Sequence, residues 1–355
     1  MTFTVSVDES DIAFACETGE TVLDAAERAG YSLPYSCRKG VCSTCEGELR
    51  RGTVSVGSKQ FAGPAGGVLL CQAKPQSDVL IRAKRIERHD PDARKTVTAS
   101  VYRISRPADD VVILQLRFPA GIRAKFKAGQ YLRITMPDGD TRNFSMANPP
   151  HESDGAQLHI RQVPGGRFSE GVLVGLRQGD KLEVELPYGD FYLRADSEKP
   201  IICVATGTGF APLKSMIEDL IKRGSKRPVR LYWGGRRRRD LYLADLAAKW
   251  AARAAWFAFT PVLSEPDADW QGATGLVHHA VLKDQSDLSG SQVYACGNPL
   301  MIRNARRDFE RSGGLSPNQF FADPFVPSGT VPADVLAQDR GPVPRSRWPK
   351  GSLPA

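Results

Sequence analysis

The sequence predicts a multidomain chain of α+β and α/β modules. A small cysteine-bearing unit comes first, then an all-β barrel or sandwich, then a doubly wound parallel α/β unit. Three observations carry this. Four cysteines are grouped near the start, as Cys37, Cys42 and Cys45 followed by Cys71. The middle alternates apolar and polar residues between recurrent turn signals. The last part alternates apolar runs with helically spaced apolar residues. At 355 residues the chain has room for two or three domains.

The first module spans residues 1–85. Phe3, Val5 and Val7 alternate with polar residues, which predicts a strand. A helix is expected over Thr21–Ala29, with Val22, Ala25, Ala26 and Ala29 on one face and Gly30 ending it. The cysteines read Cys-x4-Cys-x2-Cys, and the fourth follows a gap of 25 residues. That is the plant-type spacing for a 2Fe–2S cluster, so Cys37, Cys42, Cys45 and Cys71 are the candidate ligands. A loop around a cluster needs unusual backbone angles, which suits Gly40. Zinc or two disulfides are the alternatives, although zinc ligands usually come as two short pairs. Residues 86–95 are strongly charged and read as a linker.

Over 96–195 short strands dominate. Val112, Leu114, Leu116 and Phe118 alternate with polar neighbours, and turns recur at Pro137–Gly139, Pro164–Gly166 and Tyr188–Asp190. Over 196–329 the pattern switches. The apolar run Ile201–Ala205 suits a buried parallel strand. Further strands are expected at Val229–Trp233, Trp256–Val262 and Gln292–Cys296. Helices are expected after Gly209 and at Leu241–Ala252, Leu276–Lys283 and Pro299–Arg311. Residues 330–355, rich in Pro, Gly and Arg, read as a disordered tail.

The formal charge is +8 with a pI near 9.1. The excess is scattered except at Arg236–Arg239, and no nucleic-acid motif accompanies it, so no nucleic-acid partner is expected. No leader pattern or membrane-length apolar run is present, so no membrane association is expected and the protein is read as cytoplasmic. Cys16 and Cys203 sit in apolar stretches as buried small hydrophobes. His278 and His279 are adjacent and cannot share one helix face, so a surface helix with one histidine inward is expected.

Four motifs occur in order: Arg142-Asn143-Phe144-Ser145, Gly165-Gly166-Arg167-Phe168-Ser169, Gly207-Thr208-Gly209-Phe210-Ala211-Pro212 and Cys296-Gly297-Asn298-Pro299. With the cysteine spacing, they resemble the ferredoxin–NADP reductase superfamily, in its branch with an N-terminal plant-type ferredoxin. Members of that branch are reductase components of aromatic-ring oxygenases and soluble monooxygenases. Within the branch the chain is most similar to the terephthalate 1,2-dioxygenase reductases. The resemblance runs from the first module through Phe325. It implies a β-grasp 2Fe–2S ferredoxin domain, an antiparallel β-barrel FAD domain and a doubly wound NAD(P) domain.

Each motif has a physical reading that agrees. Arg142 offers a fork of donors suited to a flavin pyrophosphate. Phe144 is an apolar plate suited to an isoalloxazine ring, and Ser145 can donate to a ring heteroatom. The resemblance places Asn143 in the same motif and His159, Ile160 and Arg161 on the strand flanking the flavin. Gly165 and Gly166 allow close approach to a phosphate, and Phe168 and Ser169 follow where a helix could begin. Gly207, Thr208, Gly209 and Pro212 form a glycine-rich turn between strand and helix, the context of a phosphate loop. The resemblance puts a nicotinamide dinucleotide there, with Thr208 near the reacting rings. It puts Cys296, followed by Gly297, Asn298 and Pro299, beside the nicotinamide. Arg236 and Arg237 follow the second strand of this module, where arginine suits a 2′-phosphate. No acidic residue stands out there, which leans to NADPH over NADH. By resemblance, Phe325 shields the flavin face.

A nicotinamide yields two electrons as hydride, and a 2Fe–2S cluster accepts one at a time, so a flavin must stand between them. The resemblance favours FAD over FMN and implies a Rieske-type terminal oxygenase as acceptor. A diiron monooxygenase, a deoxysugar dehydrase, or a non-catalytic redox sensor are the alternatives. Arg38, Lys39, Arg50 and Arg51 are expected to make the cluster loop basic, facing an acidic partner surface.

Overall fold

The structure is a computed structural model and describes residues 1–88, 90 and 94–326. The expected tail, 330–355, lies outside the described residues. The chain divides into two compact units, one built on residues 1–93 and the other on residues 94–329.

The first unit is a β-grasp. Its mixed sheet runs in the order Ala13–Glu17, Thr2–Val7, Val79–Arg82, Glu46–Arg51, Ala65–Leu69. Thr2–Val7 and Val79–Arg82 pair in parallel at the centre, and the other neighbours are antiparallel. Val5 and Val7 point inward and are buried, as their alternation requires. The helix is Val22–Arg28, capped by Thr21, whose hydroxyl accepts from Asp24 N at 3.1 Å. It buries Val22, Leu23, Ala25 and Ala26. Ala29, expected on that face, is instead the exposed C-cap. Within the segment expected as a linker, Glu87–Arg88 forms a two-residue strand against Tyr31–Ser32.

The second unit holds two sheets. Six antiparallel strands run in the order Thr141–Ser145, Tyr131–Thr135, Lys181–Tyr188, Lys95–Ala108, Val111–Arg117, Gly155–Arg161. An isolated bridge between Met146 and Leu158 joins the two ends and closes a barrel. Val101, Leu114, Leu132, Ile134, Met146, Leu158 and Val184 fill its interior, each 0–1% exposed.

The other sheet is wholly parallel. Its order is Ala273–Thr274, Phe257–Leu263, Val229–Gly235, Ile201–Thr206, Gln292–Gly297, Phe320–Pro324. Strand order reverses between Ile201–Thr206 and Gln292–Gly297, so a crevice opens beyond their carboxyl ends. Helix Pro299–Arg311 matches its expected bounds, and Asn298 caps it by accepting from Leu300 N and Met301 N. Helices Ala244–Arg253 and Val277–Asp284 start one to three residues later than their apolar spacing suggests.

Side chains from helix Phe210–Lys222 tie the sheet to the barrel. Ser215 Oγ donates to Asn148 O at 2.7 Å, and the buried Lys214 Nζ donates to Ala147 O at 3.2 Å and to Glu218 at 2.7 Å. Truncating Leu114 to alanine should leave a void that the barrel cannot close, costing about 2–5 kcal/mol. Denaturant titration followed by barrel-sensitive fluorescence checks this.

Candidate functional site

The four cysteines occupy the first unit. Cys37, Cys42 and Cys45 lie on the loop leading into Glu46–Arg51, and Cys71 lies in the turn after Ala65–Leu69. The loop turns through left-handed backbone at Gly40 (φ 73°), and also at Arg38 (φ 52°) and Ser43 (φ 60°). The two non-glycine positions carry strain that neighbouring contacts must offset. Gln72 Nε2 donates to Arg38 O at 2.9 Å, binding the fourth cysteine's turn to the loop, and Lys84 Nζ donates to Ser43 O at 2.9 Å.

The sulfurs form two close pairs. Cys37 Sγ donates to Cys42 Sγ at 3.3 Å, and Cys45 Sγ donates to Cys71 Sγ at 3.2 Å. A single tetrahedral zinc would instead hold all four sulfurs equally, about 3.8 Å apart. The sulfurs of each pair stand 3.2–3.3 Å apart, well beyond the roughly 2.05 Å of a disulfide bond, which speaks against the disulfide alternative. Two irons, each taking one pair, fit the arrangement. Lys39 N points at Cys37 Sγ at 3.4 Å, as a backbone donor toward thiolate should. Burial and the adjacent sulfur push the Cys37 thiol well up, while the hydrogen bond from Cys37 pulls the Cys42 thiol down. Cys16 and Cys203 are fully buried and pushed up to about 11 and about 12 by desolvation, consistent with inert core thiols.

The basic loop expected around the cysteines is largely neutralised. Arg38 pairs with Asp24 at 2.7 Å and with Glu27, and its side chain is only 19% exposed. Arg50 pairs with Asp8 and Glu48. Lys39 and Arg51 remain exposed. Sequence spacing hides most of these ion pairs: Asp24 and Glu27 lie on the helix and Asp8 in the turn after Thr2–Val7, and only Glu48 shares a strand with its arginine.

In the second unit the remaining motifs converge where the barrel meets the parallel sheet. Gly207–Gly209 forms a single tight turn between Ile201–Thr206 and Phe210–Lys222. A Cβ on Gly209 would stand 2.3 Å from Cys296 O, and one on Gly297 would stand 2.4 Å from Thr206 Oγ1. The two loops therefore touch backbone to backbone. Asn298 N donates to Thr206 Oγ1 at 2.9 Å, and Phe325 N donates to Gly297 O at 2.8 Å. Thr208 is buried in the turn, and Trp233 Nε1 donates to Gly207 O at 3.1 Å. Pro212 lies in the first turn of the helix.

Ser145 ends its barrel strand and donates through Oγ to Asp323 Oδ2 at 3.3 Å. Cys296 Sγ donates to Asp323 O at 3.0 Å. Burial, reinforced by the Asp323 charge, pushes the Cys296 thiol well above its ordinary value. Ser145, Cys296 and the loop of Thr208 are thus brought together, and Asp323 joins them. The sequence reading passed over Asp323 because it sits inside the aromatic run Phe320–Phe325; a buried acid in an apolar strand was the available signal.

Around the barrel mouth, Arg142 and Arg167 both bind Asp140, at 2.7 and 2.6 Å, which brings the first two motifs side by side. Phe144 is half-buried and contacts Phe168, ring centroids 4.9 Å apart; Asn143 is exposed. Gly165 has open space where a Cβ would stand, whereas a Cβ on Gly166 would meet Ser169 Oγ at 2.3 Å. Arg167–Val172 forms a short wide helical turn containing Phe168 and Ser169. Open space at Gly165 and a pair of arginines suit an anionic pyrophosphate, and Asp140 is the acid the two arginines share.

His159 and Ile160 are buried, and the Arg161 guanidinium reaches Gly207 while pairing with Asp110 at 3.0 Å. His159 Nδ1 lies 2.8 Å from Tyr242 Oη. Desolvation and Lys214 lower its pKa to about 3, so the ring is neutral at ordinary pH. Arg236 and Arg237 are exposed after strand Val229–Gly235. Their backbone N–H groups donate to Asp240 Oδ2 at 2.7 and 3.1 Å. An acid does therefore stand at this strand end, contrary to the sequence reading, which saw only the arginines. Arg238 is turned away onto Asp269 at 2.9 Å.

Replacing any of Cys37, Cys42, Cys45 or Cys71 by serine should abolish 2Fe–2S content, while Cys203→Ser should retain it; iron analysis and visible absorbance decide this. His159 supplies a second prediction. Its folded pKa lies below the unfolded value near 6.5, so the unfolded chain binds a proton that the folded chain refuses. Stability should fall as pH drops from about 6.5 toward 3, by about 1–2 kcal/mol at pH 5. His159→Gln should flatten that dependence in thermal unfolding compared at pH 7 and pH 5.

Comparison with known proteins places these features in one family. Residues 5–76 match the 2Fe-2S iron-sulfur cluster binding domain, 99–192 the oxidoreductase FAD-binding domain and 203–307 the oxidoreductase NAD-binding domain. The chain is 44% identical to a Comamonas terephthalate 1,2-dioxygenase reductase component 1, over 93% of this chain and 99% of that one. It is 37% identical to a Yersinia pseudotuberculosis CDP-6-deoxy-L-threo-D-glycero-4-hexulose-3-dehydrase reductase, over 92% and 100% respectively. An Amycolatopsis cytochrome P450 reductase of known structure superposes with a TM-score of 0.73 at 32% identity, covering 92% and 99% of the two chains. With its paired cysteine sulfurs, its barrel and its glycine-loop sheet, the chain belongs to the family of iron–sulfur flavin reductases that join a 2Fe–2S ferredoxin domain to FAD- and NAD-binding domains.

Proposed function

We propose that this chain is the reductase component of a terephthalate-type aromatic ring-hydroxylating dioxygenase, drawing on NADH or NADPH. The observation that carries the reading is the meeting of Ser145, Thr208, Cys296 and Asp323 at one crevice, in a chain that also holds two cysteine pairs. FAD bound here would accept electrons pairwise from the nicotinamide and release them singly to the cluster.

The residues divide the work. Arg142, with Asn143, Gly165, Gly166, Phe168 and Ser169 around it, would bind the flavin pyrophosphate and give up Asp140 to do so. Phe144 and the strand His159–Arg161 would flank the ring. Gly207, Gly209 and Pro212 would shape the dinucleotide loop, and Gly297, Asn298 and Pro299 would shape the facing wall. Arg236 and Arg237 would meet the adenosine ribose. Ser145 Oγ and Asp323 Oδ2 would hold an exchangeable proton beside the reacting rings. Cys296, uncharged by burial, would present an apolar thiol rather than a thiolate. Phe325, tied to Gly297 O, would cover the flavin face. Cys37, Cys42, Cys45 and Cys71 would hold the irons. The working segments are residues 1–85, 86–95, 96–195 and 196–329.

The acceptor is read as a Rieske-type oxygenase. Plant-type clusters lie near about −400 mV and Rieske centres at about −150 to +300 mV, so the last transfer runs downhill. Among the described residues no helix is long and apolar enough to cross a membrane. Free buried thiols suit a reducing compartment, and the cytoplasm is proposed.

The test is reconstitution. The holoprotein is combined in turn with a Rieske dioxygenase, a diiron monooxygenase and a deoxysugar dehydrase, and product formation is measured with NADH and with NADPH. Turnover only with the Rieske partner is expected. Preferential turnover with either other acceptor contradicts the partner, and the 37% identity to a dehydrase reductase makes that arm informative.

A further inference from the structure

Two histidines and an aspartate lie together outside the site described above. His278 and His279 open the helix Val277–Asp284, and Asp308 lies in the last turns of Pro299–Arg311. His278 Nε2 is 3.4 Å from Asp308 Oδ2, and His279 Nε2 is 3.9 Å from the same oxygen. The three donor atoms all lie within 4.8 Å of one another. Adjacent residues on one helix rarely converge. Here they do because the third group comes from a second helix and the imidazoles stand edge to face, centroids 4.4 Å apart.

Three features separate this trio from an ordinary surface ion pair. The His278 side chain is 3% exposed and turns its Nε2 toward Asp308. Arg307 Nε takes Asp308 Oδ1 at 2.7 Å, which orients the carboxylate and leaves Oδ2 to the histidines. His279 is 62% exposed, so the space between the donors opens to solvent and a cation has a path in. Asp308 also sits near its helix C-terminus, where the dipole favours positive charge.

We propose that His278, His279 and Asp308 form a binding site for a divalent transition-metal ion of the zinc type, pinning helix Val277–Asp284 to helix Pro299–Arg311. Two imidazole nitrogens and one carboxylate oxygen suit zinc, with water in the fourth position. Tetrahedral zinc places such donors about 3.3 Å apart. The His278–Asp308 distance already meets this, and a small swing of the exposed His279 ring brings in the third donor. Binding only to the folded state would stabilise the nucleotide-binding module by mass action.

The experiment uses tag-free, oxidised holoprotein with cluster and FAD in place, titrated calorimetrically with Zn2+. One zinc per chain is expected to bind to the wild type, with a rise in the thermal unfolding midpoint. His279→Ala, at an exposed position, should weaken binding by about tenfold or more and remove the rise in the midpoint. Asp308→Asn should do the same as a second, independent ligand change. No zinc binding to the wild type, or equal binding to the wild type and to His279→Ala, overturns the proposal.

Discussion

At the carboxyl end of the parallel sheet, the turn Gly207–Gly209 and the turn at Cys296–Gly297 press backbone against backbone. No side chain fits between them: a Cβ at Gly209 or Gly297 would lie within 2.5 Å of the opposing chain. This contact sits at the reversal of strand order, where open α/β sheets leave a crevice. It fixes Thr206 against Asn298, draws Phe325 onto Gly297, and places Cys296 over the Asp323 carbonyl. The barrel then needs only one strand end, Ser145, to complete the cluster of groups. Phe210–Lys222 emerges from the same turn and carries Lys214 and Ser215 into the barrel's Ala147–Asn148 segment. One close approach therefore positions both halves of the site.

Much of this was legible in the sequence, for identifiable reasons. The cysteine spacing is set by ligand geometry, so it survives as a local pattern. Pro299–Arg311 was readable because Asn298 and Pro299 mark its start and its apolar face repeats helically. The glycine turn was readable because its neighbours, an apolar strand and an amphipathic helix, are continuous in the chain. Groups assembled from distant segments were not. Asp323 meets Ser145 across 178 residues, and Tyr242 meets His159 across 83. Arg38 looked like free charge because Asp24 and Glu27 lie on a helix that precedes it. Asp240 was hidden by the four arginines before it, although its carboxylate organises the loop they form.

The distribution of charge bears on how electrons leave. Ion pairing around Arg38 and Arg50 removes much of the positive field expected at the cysteine loop. Screening confines the field of the exposed Lys39 and Arg51 to roughly a Debye length of 8 Å. At the crevice, burial keeps His159 neutral and the Cys296 thiol protonated, while the Arg161 guanidinium reaches the Gly207 turn.

The central claim is that this chain accepts electrons in pairs and delivers them singly through sulfur-bound iron. Anaerobic titration of the purified holoprotein with NADH and with NADPH, following flavin and cluster absorbance together, tests it most directly. The account predicts uptake of about three electrons per chain, two by the flavin and one by the cluster, with both chromophores bleaching. Bleaching of the flavin with the cluster left oxidised by either nucleotide, in protein of full iron content, would contradict it.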